Sequence, residues 1–324
     1  MKAVIHQRYG APLDVLEVTD ADELTPGPRE VVVAVKAASV NAGDAAVVKG
    51  MPYLIRAAYG VTRPRSGIRG SDIAGVVASV GGDVVGLTPG DEVFGKGEGA
   101  FAEMVLAKPG NLTAKPAAVT FEHAAALPVA GLTALQGLRD AGRVEPGHRV
   151  LINGASGGVG TFAIQVAKAL GAEVTAVCST RNLETARALG ADHVVDYTRG
   201  DFTADLEPFD VVFDNAASRS ISETRRLLTR GGRLVLNNGN LDSRWLASLP
   251  RMGAAMLSTP FVSQKLGLNV QKWSQDDLAQ LADLVAEGKV TPVVERIRTL
   301  EETADAVDHV GRGHAQGKVV IVTS

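Results

Sequence analysis

The stretch Ile152 to Leu170, INGASGGVGTFAIQVAKAL, sets glycine at 154, 157, 158 and 160 directly ahead of a run with helical periodicity. Bare backbone between a strand and a helix is suited to cradling the pyrophosphate of a dinucleotide. Gly154 allows a tight turn. Around Ser156 and Val159, Gly157 and Gly158 let backbone amides approach phosphate without interference from Cβ atoms, and Gly160 lets helix and strand pack closely. The helix start then adds free N–H groups and a partial positive charge. A glycine-rich surface turn without a ligand is the bland alternative, and the flanking strand, helix and repeated βα units weigh against it.

The end of the next strand decides between dinucleotides. A carboxylate about 20 residues past the glycines would hold a ribose 2′-hydroxyl. The chain instead reads CSTRN, Cys178 to Asn182. Ser179 and Thr180 can donate hydroxyl bonds, and the Arg181 guanidinium can pair with a 2′-phosphate through two charge-assisted bonds. NADPH is therefore expected over NADH, with a solvated cation at the start of the helix NLETARALG as the plain alternative for Arg181. Cys178, the single cysteine, closes an alternating strand and reads as a small packing residue. None of the tyrosines, at 9, 53, 59 and 197, has a lysine four positions later, so the Tyr-x-x-x-Lys pair of a short-chain dehydrogenase is absent.

These groups need elements to hold them. With 324 residues the chain has room for about two domains. A hydrophobic fraction of 45% and a charged fraction of 21% are ordinary for a folded protein, and a net charge of -3 with interspersed signs gives no basic face for nucleic acid or membrane. A small molecule is the expected partner. The opening MKAVIHQRYG alternates as a strand does and lacks the apolar block of a signal peptide, so a cytoplasmic location is expected. One cysteine leaves no disulfide framework and no multi-cysteine zinc site.

The first 120 residues are strand-rich and broken by turns such as PGP and TPGD, which suggests an irregular barrel. From Phe121 longer helical stretches alternate with short apolar runs: RVLIN, EVTAVC, HVVDY, DVVFDN and GGRLVLN as strands, with GTFAIQVAKALG and LETARALG as helices. That alternation predicts a parallel sheet covered by helices. The tail offers a helix DDLAQLADLVAEG and strands TPVVERI and GKVVIVT, whose destination pattern alone leaves open.

A mid-chain glycine turn behind a β-rich region containing SVNAGD, GSDIAGVVASVG, PGDEVFG and LPVAGLTALQGL resembles the medium-chain dehydrogenase/reductase superfamily, and within it the zinc-independent quinone oxidoreductase branch. The resemblance runs from MKAVI to GKVVIV. It implies an α/β protein: a GroES-like β-rich catalytic domain (1–124 and 290–324) and a doubly wound parallel-sheet Rossmann domain (125–289) that binds NADPH. Zinc-dependent members have a cysteine where this chain has Asn41, and a His-Glu pair where it has Ser71 and Asp72. No metal is expected.

Without a Lewis acid, delivering hydride to an acceptor that is already electrophilic is the easier chemistry, so the resemblance implies a reductase of quinones or α,β-unsaturated carbonyls. An NADPH-binding redox sensor or scaffold with little turnover, and a reductase of a carbonyl or enoyl thioester, stand as alternatives. Asn41 and Asp44 in NAGD match the family's active-site turn: Asn41 can orient the acceptor or the nicotinamide ribose, while Asp44 can fix the loop, and an Asx turn supporting a strand end is the structural alternative. Tyr53 can hydrogen-bond a substrate oxygen, donate a proton, or simply pack. Thr133 matches a position near the nicotinamide, with a helix cap or buried hydroxyl as its alternative, and Tyr197 matches a tyrosine beside the adenosine half. By position, Asn215 after the fourth strand, Asn238 and Gly239 after the fifth, and Lys318 in GKVVI are added as cofactor contacts. The apolar segment Arg244 to Trp273 reads as core packing or as the substrate mouth and an edge strand shared between subunits, and a homodimer is expected.

Overall fold

The computed structural model describes residues 1–65, 67–203, 206–237, 253, 263–313 and 315–323. They divide into two units, Met1–Ala130 with Trp273–Ser324, and Gly131–Lys272. In chain order the strands are β1 (Lys2–Ile5), β2 (Glu17–Asp20), β3 (Val31–Val40), β4 (Asp72–Val80), β5 (Glu92–Lys96), β6 (Met104–Ala107) and β7 (Leu112–Ala114). The second unit follows with β8 (Arg149–Asn153), β9 (Glu173–Cys178), β10 (His193–Asp196), β11 (Phe209–Asp214), β12 (Leu228–Leu236) and β13 (Lys265–Leu268). Then β14 (Val294–Thr299) and β15 (Lys318–Val322) return to the first.

In the first unit β1 and β2 form a small antiparallel pair, and the main sheet runs β14-β15-β3-β4-β5-β7 with β6 also on β3. β3 is nearly continuously apolar because sheet and helices cover both its faces, and Val33, Val35, Ile73, Val77, Phe101, Val319 and Ile321 pack in one core. Each such side chain contributes roughly 1.5–3 kcal/mol when fully buried. The register matters most for the site. Val319 of β15 lies opposite Val40 of β3, and Asp72 of β4 lies opposite Ser39. The end of β3 and the beginnings of β4 and β15 therefore meet at one end of the sheet.

The second unit is a parallel sheet in the order β10-β9-β8-β11-β12-β13. Counted within the unit, this is the 3-2-1-4-5-6 order of a dinucleotide-binding fold, with its switch point between β8 and β11. Helix Gly158–Ala169 buries Phe162, Ile164 and Val166, and the chain leaves it through Gly171 at φ +83°. Helix Ile221–Arg226 begins with a capping box between Ser220 and Glu223.

The first region is strand-rich, as its turns and alternation suggest, and most of its strands join the sheet just described. The two units meet along the chain at 272/273, and the expected domain boundary stands at 289/290. Helix Gln275–Ala286 packs against β7, with the Gln275 side-chain amide donating to the Leu112 carbonyl and Trp273 Nε1 to Gly110, so it belongs with the first unit. Side-chain bonds to a distant strand leave no trace in helical periodicity.

Candidate active site

β8 ends at Asn153, and the chain turns through Gly154 at φ +82°, a conformation that glycine adopts without penalty. At Gly157, the N-cap of helix Gly158–Ala169, an added Cβ would meet no atom within 4 Å, and no side chain caps the helix. At Gly160 a Cβ would stand 2.2 Å from the Gly154 carbonyl oxygen. Turn, open face and close approach are thus divided among three glycines. Uncapped amides of Gly158, Val159 and Gly160 at an open helix start, beside the half-buried Ser156, suit a pyrophosphate.

A buried network outside the expected site residues braces this turn. Asn153 Nδ2 donates to Asp214 Oδ1 at 2.8 Å and to Ser218 Oγ at 3.2 Å, and the Ala217 N–H reaches the same carboxylate at 3.0 Å. Asn215 joins through its backbone, N–H to the Asn153 carbonyl at 3.0 Å. Past the end of β13, Asn269 Nδ2 donates to Asn237 Oδ1, just after β12, at 2.7 Å and to the Thr133 carbonyl at 2.8 Å. Thr133 lies inside helix Pro128–Gln136, so it is no cap. The signal in the sequence is a polar residue ending each apolar strand, in LIN, VFD and VLN. Asn238 and Gly239 lie outside the described residues, as does most of the segment Arg244 to Trp273.

The sequence offers no carboxylate at the end of β9, but the fold brings one from β10. Asp196 accepts from the Thr180 hydroxyl at 2.5 Å and from the Thr198 hydroxyl at 2.6 Å, bonds that hold its carboxyl below the usual range. Thr180 therefore points at Asp196, whereas Arg181 is exposed and the Arg199 guanidinium lies 3.8 Å from Asp196. Ser179 Oγ accepts from Asn182 Nδ2 at 3.2 Å. Tyr197 is exposed, its N–H on the Cys178 carbonyl. Cys178 itself is buried, and burial pushes its thiol up, as a packing residue requires.

In the first unit, the three strand ends carry Asn41, Asp72 and Lys318. Asn41 Nδ2 donates to Asp72 Oδ2 at 2.9 Å, and Asn41 Oδ1 accepts from Lys318 Nζ at 2.6 Å. Lys318 Nζ and Asp72 Oδ2 are 3.7 Å apart, with side chains 3% and 0% exposed. Ser39 Oγ and the Val129 N–H also reach Asp72 Oδ2, each at 3.3 Å, while Ser71 Oγ takes Oδ1 at 3.1 Å. Lys318, expected as a cofactor contact, thus directs its ammonium at Asn41 and Asp72 within its own unit. Burial lowers its pKa, and Asp72 and Asp44 oppose that shift.

Comparison with known proteins agrees with both halves. The alcohol dehydrogenase GroES-like domain family matches residues 27–117, and the zinc-binding dehydrogenase family matches residues 189–321. The mitochondrial NAD(P)H oxidoreductase RTN4IP1 of Mus musculus is 36% identical over 335 residues, covering 91% of this chain and 82% of that protein. The chain belongs to the medium-chain dehydrogenase/reductase superfamily, in its quinone oxidoreductase branch. This medium-chain reductase is an NAD(P)H-dependent oxidoreductase. A chloroplast envelope quinone oxidoreductase homolog of Arabidopsis thaliana is 33% identical over 99% of this chain and 98% of its own. The solved quinone oxidoreductase of Coxiella burnetii superposes with a TM-score of 0.88 at 30% identity, over 100% of this chain and 99% of the other.

One matching family is named for zinc, and the residues here do not suit it. A catalytic zinc takes three protein ligands from cysteine, histidine or carboxylate. Asn41 and Ser71 are poor ligands, and the carboxylate of Asp72 already faces the Lys318 ammonium. Among the described residues, no group of three or more His, Cys, Asp and Glu side chains is placed to hold a metal.

Asn41 also starts helix Ala42–Lys49, its N–H donating to Asp44 Oδ2 at 2.8 Å. The Asn-x-x-Asp spacing is a capping signature, so the structural and functional readings of NAGD meet in one turn. Asp44 is half-buried as a residue but its carboxyl is enclosed; burial pushes its pKa up to about 7, against the Asn41 N–H, with Asp72 adding to the rise. The folded protein therefore keeps a proton that the unfolded chain loses near 3.8. Between about pH 4 and 7 the folded state binds more protons, and this group's contribution to stability falls as pH rises. Asp44→Asn is expected to remove that slope: urea unfolding at pH 4.5 and 7.5 should show wild type losing more stability than the variant on going up in pH. Equal slopes would refute the raised carboxyl.

Tyr53 is 38% exposed, and the Arg56 guanidinium lies 4.8 Å from its ring centre. Arg56 also sits 4.6 Å over Tyr9 and donates from Nε to the Gly50 carbonyl at 2.9 Å. Tyr53 is a surface ring held by a cation, not a core aromatic. No described helix is long and apolar enough to cross a membrane.

Proposed function

We propose that this reductase transfers hydride from NADPH to a quinone or an α,β-unsaturated carbonyl without zinc. The observation that carries the reading is the buried Asn41–Asp72–Lys318 cluster: the donor set that would polarise a simple carbonyl through a metal is replaced by an amide, a carboxylate and an ammonium. An acceptor that is already conjugated needs less polarisation. When bound, the dinucleotide supplies the hydride at its nicotinamide C4.

The protein's part is position and polarity. Gly154 to Gly160 seat the pyrophosphate, and Ser179 and Arg181 meet the 2′-phosphate. Asn41 retains one side-chain N–H for an acceptor oxygen or a ribose hydroxyl, since the other donates to Asp72 and its oxygen is engaged by Lys318 and by the start of its own helix. Asp44, whose carboxyl burial holds protonated well above the ordinary carboxylate range, is one candidate source of the proton that must follow the hydride, and the hydroxyl of the partly exposed Tyr53 is the other.

Asp196 favours the competing preference for NADH, because its negative charge lies beside Thr180. One experiment separates these readings. Absorbance at the reduced-nicotinamide band is followed with NADPH and with NADH against quinones, enals and enoyl thioesters, for wild type and Arg181→Asp. Expected are NADPH-dependent turnover of quinones or enals and a loss of about tenfold or more in NADPH preference on Arg181→Asp. Tight dinucleotide binding with zero oxidation across the panel would replace the enzyme by a sensor, turnover of thioesters alone would change the substrate class, and an unchanged preference would clear Arg181 of its role.

A further inference from the structure

A buried ammonium ordinarily pairs with its carboxylate at hydrogen-bond range, and here that ion pair is long. Lys318 Nζ makes its short contact, 2.6 Å, with the neutral Oδ1 of Asn41, and stands 3.7 Å from Asp72 Oδ2. Asp72 in turn takes the other end of the same amide, Nδ2 to Oδ2 at 2.9 Å. The amide of Asn41 is clamped between a cation on its acceptor and an anion on its donor. Turning it over would set N–H against ammonium and C=O against carboxylate, so one orientation is imposed. A cation on the carbonyl oxygen also draws density from the amide nitrogen, which strengthens its remaining N–H as a donor.

We propose that Lys318 is a positioning residue of the active site, orienting and polarising the Asn41 amide through the ammonium–amide–carboxylate clamp. The inference rests on the reading of Asn41 as a group that meets the reacting molecules. Three elements distant in sequence converge to make the clamp, and the β15–β3–β4 register places it. Keeping an ammonium and a carboxylate buried is unfavourable unless geometry compensates, and the same volume could be filled by apolar side chains without that demand. The arrangement serves the amide it encloses.

The test is a double-mutant cycle. Lys318→Met with Asp72→Asn removes both charges together, leaving no buried ion unpaired, and Asn41→Ala removes the amide. In the Asn41 background the charge-free pair is expected to lower kcat about 10- to 100-fold, the size of a charge-assisted bond, with the dinucleotide Kd from fluorescence changed less than about twofold. In the Asn41→Ala background the same pair should lower kcat no further. Lys318→Gln with Asp72→Asn, which restores an N–H donor to Asn41, should recover part of the loss, and it carries the cycle if the methionine pair does not fold.

Equal losses in both backgrounds would make Lys318 a structural residue acting independently of Asn41 and overturn the proposal. No loss in the Asn41 background would overturn it equally. If Asn41→Ala alone keeps full kcat, the role given to Asn41 fails, and the inference falls with it; if Asn41→Ala is impaired and only the charge-free pair is silent, the role of Asn41 survives.

Discussion

Gly160→Val is expected to abolish nicotinamide dinucleotide binding at micromolar protein and to lower the thermal midpoint by several degrees. The first Cβ atom would lie 2.2 Å from the Gly154 carbonyl oxygen and 2.6 Å from the Ala155 carbonyl carbon. Both are backbone, so no side chain can swing aside; helix Gly158–Ala169 must move off the β8 turn. Overpacking of this kind costs about 1–3 kcal/mol, or roughly 3–10 °C for a unit of this size. The larger effect falls on binding, because the displaced amides are the ones assigned to phosphate, and a loss of about 100-fold or more in affinity is expected. Gly157→Ala is the control: its Cβ meets no protein atom within 4 Å, so the midpoint should hold while affinity falls by about tenfold where ligand must approach. Fluorescence titration and a thermal scan read both variants. Wild-type affinity in Gly160→Val would remove the cradle from this turn.

Asp72→Ala is expected to be the most destabilising single change in the first unit, by about 3–5 kcal/mol. Lys318 would remain buried with a neutral amide as its hydrogen-bond acceptor. Burial already lowers this lysine's pKa from 10.5, and loss of the carboxylate lowers it further. The unfolded chain then binds a proton that the folded one has shed, so the variant should regain stability as pH rises toward 10.5, more steeply than wild type. Asp72→Asn keeps an acceptor for Asn41 and should lose less. Urea unfolding at pH 7 and 9.5 measures the difference; a loss below about 1 kcal/mol with no pH dependence would show that the ammonium needs no counter-charge.

The glycine cradle and its flanking units are legible in the sequence because everything they need is local: a strand, spaced glycines and a helix within one βα stretch. Gly154, Gly157 and Gly160 each take the conformation or clearance their spacing implies. The helix after Asn41 is equally readable in principle, from the Asn-x-x-Asp box. The clamp is not. Asn41, Asp72 and Lys318 each stand out only within their own segments, and pairing between strands far apart in sequence decides that they touch. Asp196 is hidden for the same reason: the expected place for a carboxylate is the end of β9, while the parallel register sets Asp196 of β10 against Cys178. The unit boundary at 272/273 likewise depends on bonds from Trp273 and Gln275 to Gly110 and Leu112.

The 277-residue separation between Asn41 and Lys318 bears on biogenesis. During translation the whole of Gly131–Lys272 leaves the ribosome before Lys318 is made, and domains generally fold as they emerge. The nascent chain thus passes through an interval in which Asn41 and Asp72 have been made but their ammonium has not, so a chain ending just upstream of β15 would leave the polar clamp unassembled.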